Sequence, residues 1–175
     1  MSIRHIVCVG GIVLFAGCAG QGSKPADSVH DAVASRLVGT WSLARYEARA
    51  GDQPPTFPFG PSAAGRLMYD GIGNMAVQLL RPDRPLFASP DWTEGTPAEI
   101  ETAFEGFVGY YGDYTLDEAA GTITHHIKAA HYPNWIGTQQ LRSFRFEGDT
   151  LVLSTPPFFG RGMEAVHTLW WVKVE

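Results

Sequence analysis

Thiols are nearly missing from this chain. Of 175 residues only Cys8 and Cys18 are cysteine, and both precede the body of the protein. Residues 36–175 therefore have neither a disulfide staple nor thiolate chemistry to draw on. Basic runs are missing too: Asp and Glu number 18 against 13 Lys and Arg, for a net charge of −5, so nucleic acid is not an expected partner. No Gly-x-Ser-x-Gly elbow offers a nucleophilic serine. The glycine-rich Asp70-Gly71-Ile72-Gly73-Asn74 joins strand to strand and so makes a hairpin instead of a phosphate loop. The apolar run Ile6 to Gly17 is short for a permanent membrane-spanning helix. Neither an internal repeat nor a second domain is evident. What remains is 45% hydrophobic and 18% charged, with 12 Pro and 20 Gly, the make-up of one turn-rich globular domain large enough to bury a core.

The first residues read as an address. Arg4 and His5 precede the apolar run, which ends in small residues, the pattern of a secretory signal over 1–17. Leu14-Phe15-Ala16-Gly17-Cys18 resembles the lipobox of bacterial lipoproteins, which implies cleavage before Cys18 and acylation of its sulfur. Several acyl chains exceed what stable anchoring needs. Residues 18–35 are then the lipidated Cys18, a small and polar tether, and the start of a short helix. Ala19, where Asp would retain the protein at the inner membrane, implies an outer-membrane lipoprotein, expected to face the periplasm. The alternative is a soluble exported protein with a coincidental cysteine.

The body, 36–175, reads as strands. A short helix over Ser28 to Leu37 leads to Trp41-Ser-Leu-Ala-Arg-Tyr-Glu47, an alternating strand with Trp41 and Leu43 on one side. A proline-punctuated loop (51–63) follows, then a hairpin of Gly65 to Tyr69 and Asn74 to Leu80. The loop Arg81 to Gly95 carries Phe87 and Trp92 as a lid, a contact surface or a satellite cluster. Thr96-Pro97-Ala98-Glu99 spells a capping box, and Ile100, Ala103, Phe104, Phe107 and Val108 predict a helix stopping at Gly109, its apolar face plugging or flanking the sheet. Further strands are predicted at Tyr110 to Leu116, Thr122 to His131, Thr138 to Phe146, Thr150 to Thr155 and Thr168 to Val174. About eight strands linked by hairpins, with one or two short helices, predict an all-β, closed up-and-down antiparallel barrel.

The run Leu37-Val-Gly-Thr-Trp41, with Tyr110-Tyr-Gly-Asp-Tyr114, Gly121-Thr-Ile-Thr-His-His126, Pro133-Asn-Trp135, Gly137 and Leu-Trp-Trp171-Val-Lys173, resembles the bacterial and fungal lipocalin-like domain family over nearly all of 36–175. The resemblance implies a barrel capped at one end by Trp41, with Lys173 of the last strand stacked on the indole where arginine is more usual. Both are then structural. The family hosts carriers and enzymes alike, so it does not settle function.

Alternation places Ile123, His125, Ile127, Ala129 and His131 on one face of the central strand, and His126 and Lys128 on the other. Neighbouring His125 and His126 cannot grip one ion, and His131 lies roughly 20 Å from His125 along an extended strand, so no metal or other cofactor is expected unless a bulge or bend intervenes. The barrel interior is the better candidate site. Tyr69, Tyr114, His125, Gln140, Arg142 and Phe144 are its expected ligand-contacting residues, against the alternative that Arg142 pairs with a carboxylate such as Glu47 and His125 is a satisfied core histidine. Three functions stay open. The first is binding of a small apolar or amphipathic molecule in a membrane-tethered barrel. The second is an isomerase, cyclase or hydratase with His125 as acid/base, Tyr114 donating to an oxyanion and Arg142 holding an anion. The third is an interaction lipoprotein with a filled barrel. Either pocket reading requires a cavity of roughly 300 Å³ or more.

Overall fold

Strands whose alternate residues are apolar must hide one face, and these do so by rolling up. The computed structural model describes residues 32–160 and 162–174; the signal, Cys18, the tether and the expected Ser28 cap lie outside them. After helical residues 32–37 come β1 (Gly39–Arg49), β2 (Ala64–Tyr69), β3 (Asn74–Leu80), α1 (Pro97–Glu105), β4 (Phe107–Asp117), β5 (Thr122–Ala130), a 3₁₀ turn at Pro133–Trp135, β6 (Gln139–Glu147), β7 (Thr150–Ser154), β8 (Phe158–Gly160) and β9 (Met163–Lys173). Each strand from β1 to β7 pairs with the next, β7 pairs with β9, and β9 closes on β1, all antiparallel. The result is the expected closed eight-strand barrel. β8 is a short extra strand on the outer half of β9 that the proline-flanked sequence did not suggest, and β9 itself begins at Met163, five residues before the predicted start.

The two ends of the barrel differ. At one, Trp41 and Leu37 are fully buried and the indole Nε1 donates to the Leu37 carbonyl at 2.9 Å. Lys173 Nζ sits 5.2 Å from the Trp41 ring centroid and donates to the Arg36 carbonyl, while the Arg36 guanidinium lies 4.0 Å over Phe146. Burying an indole of roughly 200 Å² at about 25 cal/mol/Å² contributes about 5 kcal/mol; an exposed ammonium over it adds only about 0.5–1 kcal/mol. Burial therefore decides this end, and Lys173 orients what burial stabilises. Gly39 has φ 140°, and a Cβ there would stand 2.7 Å from Lys173 Cε, so the glycine before Thr40-Trp41 lets the lysine cross the first strand.

The other end is bordered by the longer connections 50–63, 81–106, 131–138 and 155–162. Here the helix reading is corrected: α1 has its capping box on Thr96 and Glu99, but it ends at Glu105 with Gly106 as its cap, and Phe107 and Val108 begin β4. No α1 residue is fully buried and Ile100 and Phe104 are about half exposed, so the helix flanks the barrel without plugging it. In the preceding loop Phe87 folds down against Gly95 and Ile100, while Trp92 is 85% exposed.

A bulge corrects the alternation of β5. Tyr111 faces Ala129 but Gly112 faces Ile127, leaving Lys128 as an extra residue. Beyond it the faces exchange: Ala130, opposite inward Tyr110, turns in, and Ala129, opposite exposed Tyr111, turns out. His131 consequently leaves the face of His125 and packs between Phe104, 4.6 Å away, and Phe107. Gly112 makes the bulge feasible, because a Cβ there would collide with the His126 carbonyl and approach Lys128 N at 3.0 Å. A second irregularity, at Ala44 between Leu43 and Arg45, turns Tyr46 inward and Glu47 outward. Glu47 is buried on the outer side and ion-paired with Arg45, which removes it as a partner for Arg142.

The collision at Gly112 predicts that Gly112→Ala lowers the unfolding free energy by about 2–4 kcal/mol. Gly71→Ala, whose added Cβ meets nothing within 4 Å, is expected within about 0.5 kcal/mol of wild type. Urea unfolding of both variants measures this, and a neutral Gly112→Ala would show that the bulge does not depend on the glycine.

Candidate functional site

A cavity of about 460 Å³ enters the barrel from the end opposite Trp41, comfortably above the size a small-molecule site needs. Its walls are Leu67, Val77, Leu79, Leu153, Leu169 and Trp171. Those side chains are supplied by β2, β3, β7 and β9. Polar groups arrive from β4, β5 and β6. His125 stands opposite Gln140 across the β5–β6 ladder, and Arg142 stands opposite Ile123. Along β6 the inward residues Gln140, Arg142, Phe144 and Phe146 are half-buried and those between them exposed.

His125 is 1% exposed, and both ring nitrogens are engaged by phenols: Tyr69 Oη lies 2.6 Å from Nε2 and Tyr110 Oη 3.0 Å from Nδ1. A neutral imidazole offers one donor and one acceptor. Tyr69 is itself buried, and Nε2 is its hydroxyl's hydrogen-bond partner among the described residues. A buried O–H must donate, so the Tyr69 hydroxyl donates a hydrogen bond to Nε2 and the neutral histidine carries its proton on Nδ1. That N–H donates to Tyr110 Oη. The Tyr110 hydroxyl hydrogen is thereby left for the cavity that this residue lines.

Burial, followed by the nearby Arg142 and His126 charges, pulls the pKa of His125 down to about 3. Burial, followed by the neighbouring Tyr110, pushes Tyr69 well above the ordinary phenol value. Tyr69 and His125 are therefore uncharged across the neutral range, and the hydrogen bond between them keeps its direction. Arg142 donates to the Leu141 carbonyl at 2.7 Å and approaches Gln140 Oε1 at 3.5 Å. Among the described residues it has no carboxylate partner, and none that lines the cavity is Asp or Glu.

The expected site residues thus separate. His125, Gln140 and Arg142 line the cavity. Tyr69 stands behind His125 as its proton donor. Tyr114 belongs to the plugged end: its ring packs 4.8 Å from Tyr69 and its hydroxyl donates to the Asp70 carbonyl at 2.8 Å. Phe144 packs with Phe146 in the same region. Sequence reasoning missed Tyr110, although it shares the inward parity of Tyr114. It also missed the mouth, where Tyr46 Oη meets His167 Nδ1 at 2.6 Å, His167 stacks on Phe158, and Trp135 stands edge-on to Tyr110. The Ala44 irregularity and the unexpected β8 hairpin concealed the first three; Trp135 was visible only as a turn residue.

Such an architecture, a closed antiparallel barrel with one end sealed and an open chamber at the other, defines a lipocalin-like domain. The chain belongs to that family, matching its lipocalin-like domain over residues 38–174. It is also similar to a 4'-hydroxy-3'-methoxypropiophenone carrier protein of Aspergillus oryzae, with 34% identity over 57% of this chain and 96% of the relative.

The buried imidazole yields a pH prediction. Its folded pKa lies below the ordinary 6.5, so the unfolded chain takes up this proton first. The stability tied to neutral His125 is complete above pH 6.5 and is lost as pH falls toward about 3. At about 1.4 kcal/mol per unit the loss amounts to a few kcal/mol. Unfolding free energies measured from pH 7 to pH 4 are expected to fall more steeply for wild type than for His125→Gln. Parallel slopes would contradict a buried neutral imidazole.

Proposed function

We propose that this protein is a membrane-tethered carrier that holds a small amphipathic molecule in its barrel without transforming it. The observation that carries the reading is the apolar chamber with an oriented phenol, an amide and a guanidinium on one wall. That is the usual make-up of a small-molecule site, in which apolar area supplies affinity and a few polar groups fix orientation. The carrier relative's ligand, an aryl ketone bearing a phenol and a methoxy group, is of the chemistry such a chamber would hold: a flat ring for Leu79, Leu169 and Trp171, and oxygens for Tyr110, Gln140 and Arg142.

Proton transfer by His125 fits the geometry less well. A general base works best with a pKa near the operating pH, whereas this imidazole has been lowered to about 3 and both its nitrogens are occupied by tyrosines. Its service is to hold Tyr110.

The tether forms part of the same reading. Acylation at Cys18 after removal of 1–17 would leave thirteen residues, 19–31, before the first described helix. Residues 36 and 37 pack at the sealed end, so the chain would approach the barrel opposite its mouth, leaving the chamber free to exchange ligand with the periplasm at the outer membrane.

Quenching of cavity-wall tryptophan fluorescence by 4'-hydroxy-3'-methoxypropiophenone is expected to saturate at one ligand per barrel. Leu169→Trp, which fills the chamber, should weaken binding at least about tenfold while leaving the far-ultraviolet circular dichroism of the barrel intact. Unchanged affinity in that variant would place the ligand elsewhere. For the address, Cys18→Ser is expected to move the protein from the membrane fraction to the soluble one, and continued membrane fractionation would refute acyl anchoring.

A further inference from the structure

The cavity wall is electrically unbalanced. Half-buried Arg142 brings a permanent positive charge to it, both of its hydrogen bonds stay within its own strand, and no carboxylate among the described residues lines the space. A charge is ordinarily paired to the extent that it is withdrawn from water. Near this cation the other oriented group is a donor as well, because the Tyr69–His125–Tyr110 chain runs its protons toward the cavity and ends on the Tyr110 O–H. Two donors and no negative charge form a wall that a neutral ligand would leave partly unused.

Taking the carrier reading as its premise, we propose that the barrel selects its ligand as an oxyanion. A small aromatic phenolate or carboxylate would seat its charged oxygen against Arg142 and the Tyr110 hydroxyl, with its ring among Leu79, Leu169 and Trp171. Arg142 supplies the charge-assisted bonds, which are about twice as strong as neutral ones. His125 is a positioning residue: it accepts the Tyr69 hydrogen bond on one side and aims the Tyr110 hydroxyl on the other. Tyr46, Trp135, Phe158 and His167 add an aromatic rim to the same cavity. Selection then operates on the ligand's acidity as much as on its shape, since O-methylation or amidation removes the anion while keeping the bulk.

The test compares matched pairs by tryptophan quenching at pH 7: cinnamate against cinnamamide, and 4-hydroxyacetophenone against 4-methoxyacetophenone. For the phenol, absorbance is recorded as well, because a conjugated phenolate absorbs at longer wavelength than its phenol and the free compound is largely protonated at this pH. The proposal expects at least one pair to favour the ionisable member about tenfold or more. A preference for cinnamate identifies a carboxylate site, and a red-shifted bound acetophenone identifies a phenolate site. Arg142→Gln should bring the preferred pair within about twofold of each other while the neutral member binds as before, Arg142→Lys should keep the preference, and Tyr110→Phe should reduce it partially. If neutral members bind as tightly as ionisable ones and no red shift develops, the oxyanion proposal is overturned while the carrier reading stands. If no member of either pair binds, and 4'-hydroxy-3'-methoxypropiophenone does not bind either, the carrier reading fails and this proposal with it.

Discussion

An imidazole sealed inside a barrel is tolerable only if both of its nitrogens are served, and the rest of the interior is arranged around that requirement. Tyr69 reaches His125 from β2 and Tyr110 reaches it from the neighbouring β4, so one histidine ties β2 to the β4–β5 pair across the interior. Each hydroxyl, left without the ring, would be a polar group in an apolar wall, at a cost of about 1–3 kcal/mol. The three side chains therefore specify one another's rotamers. They also divide the interior: on the Tyr69 side lie Tyr114, Phe144 and Phe146, packed solid under Trp41, and on the Tyr110 side the space opens.

Much of this architecture was legible in the chain, because its causes are local. Period-two alternation, Asp-Gly and Glu-Gly-Asp turns, and the Thr96–Glu99 box each act over a few residues, and they place eight strands and α1 nearly where they lie. Lys173 over Trp41 was legible through family resemblance, and its geometry is present. What alternation could not carry was parity across an irregularity. The extra residues Lys128 and Ala44 each exchange the two faces of a strand, and from those points onward His131, Ala129 and Glu47 turn the opposite way. The only mark of the first bulge in the sequence is Gly112, on the neighbouring strand and sixteen residues away. Tyr110 was missed for a related reason. Its pairing with His125 is set by how far a phenol leans along the barrel, which no spacing rule encodes.

The two ends illustrate how a small barrel separates stability from function. At the sealed end Trp41, Leu37 and Tyr69 are buried to within about two per cent, and Arg36 and Lys173 cross aromatic faces and meet backbone carbonyls. At the open end α1 and the loops contribute no fully buried helix residue, and Trp92 and Phe159 are 85% and 76% exposed. The barrel closes through the β1–β9 ladder, which runs from Trp41 opposite Lys173 to Arg49 opposite Val166. The mouth is thus free to vary while the pairing below it is not.

That separation bears on why a histidine occupies the boundary at all. A third tyrosine or a leucine would fill the volume, but a leucine would orphan two hydroxyls, and a phenol cannot bridge two others in line as a two-nitrogen ring does. Glutamine could bridge them, yet its amide turns freely enough to present either end. The imidazole is rigid, and once Tyr69 donates to Nε2 its other nitrogen has no choice but to donate. The direction of the hydroxyl facing the ligand is consequently decided on the far side of the ring, by a tyrosine that does not line the chamber. The site's polarity is a property of the core, and it persists wherever the imidazole stays neutral, which its depressed pKa extends well below the neutral range.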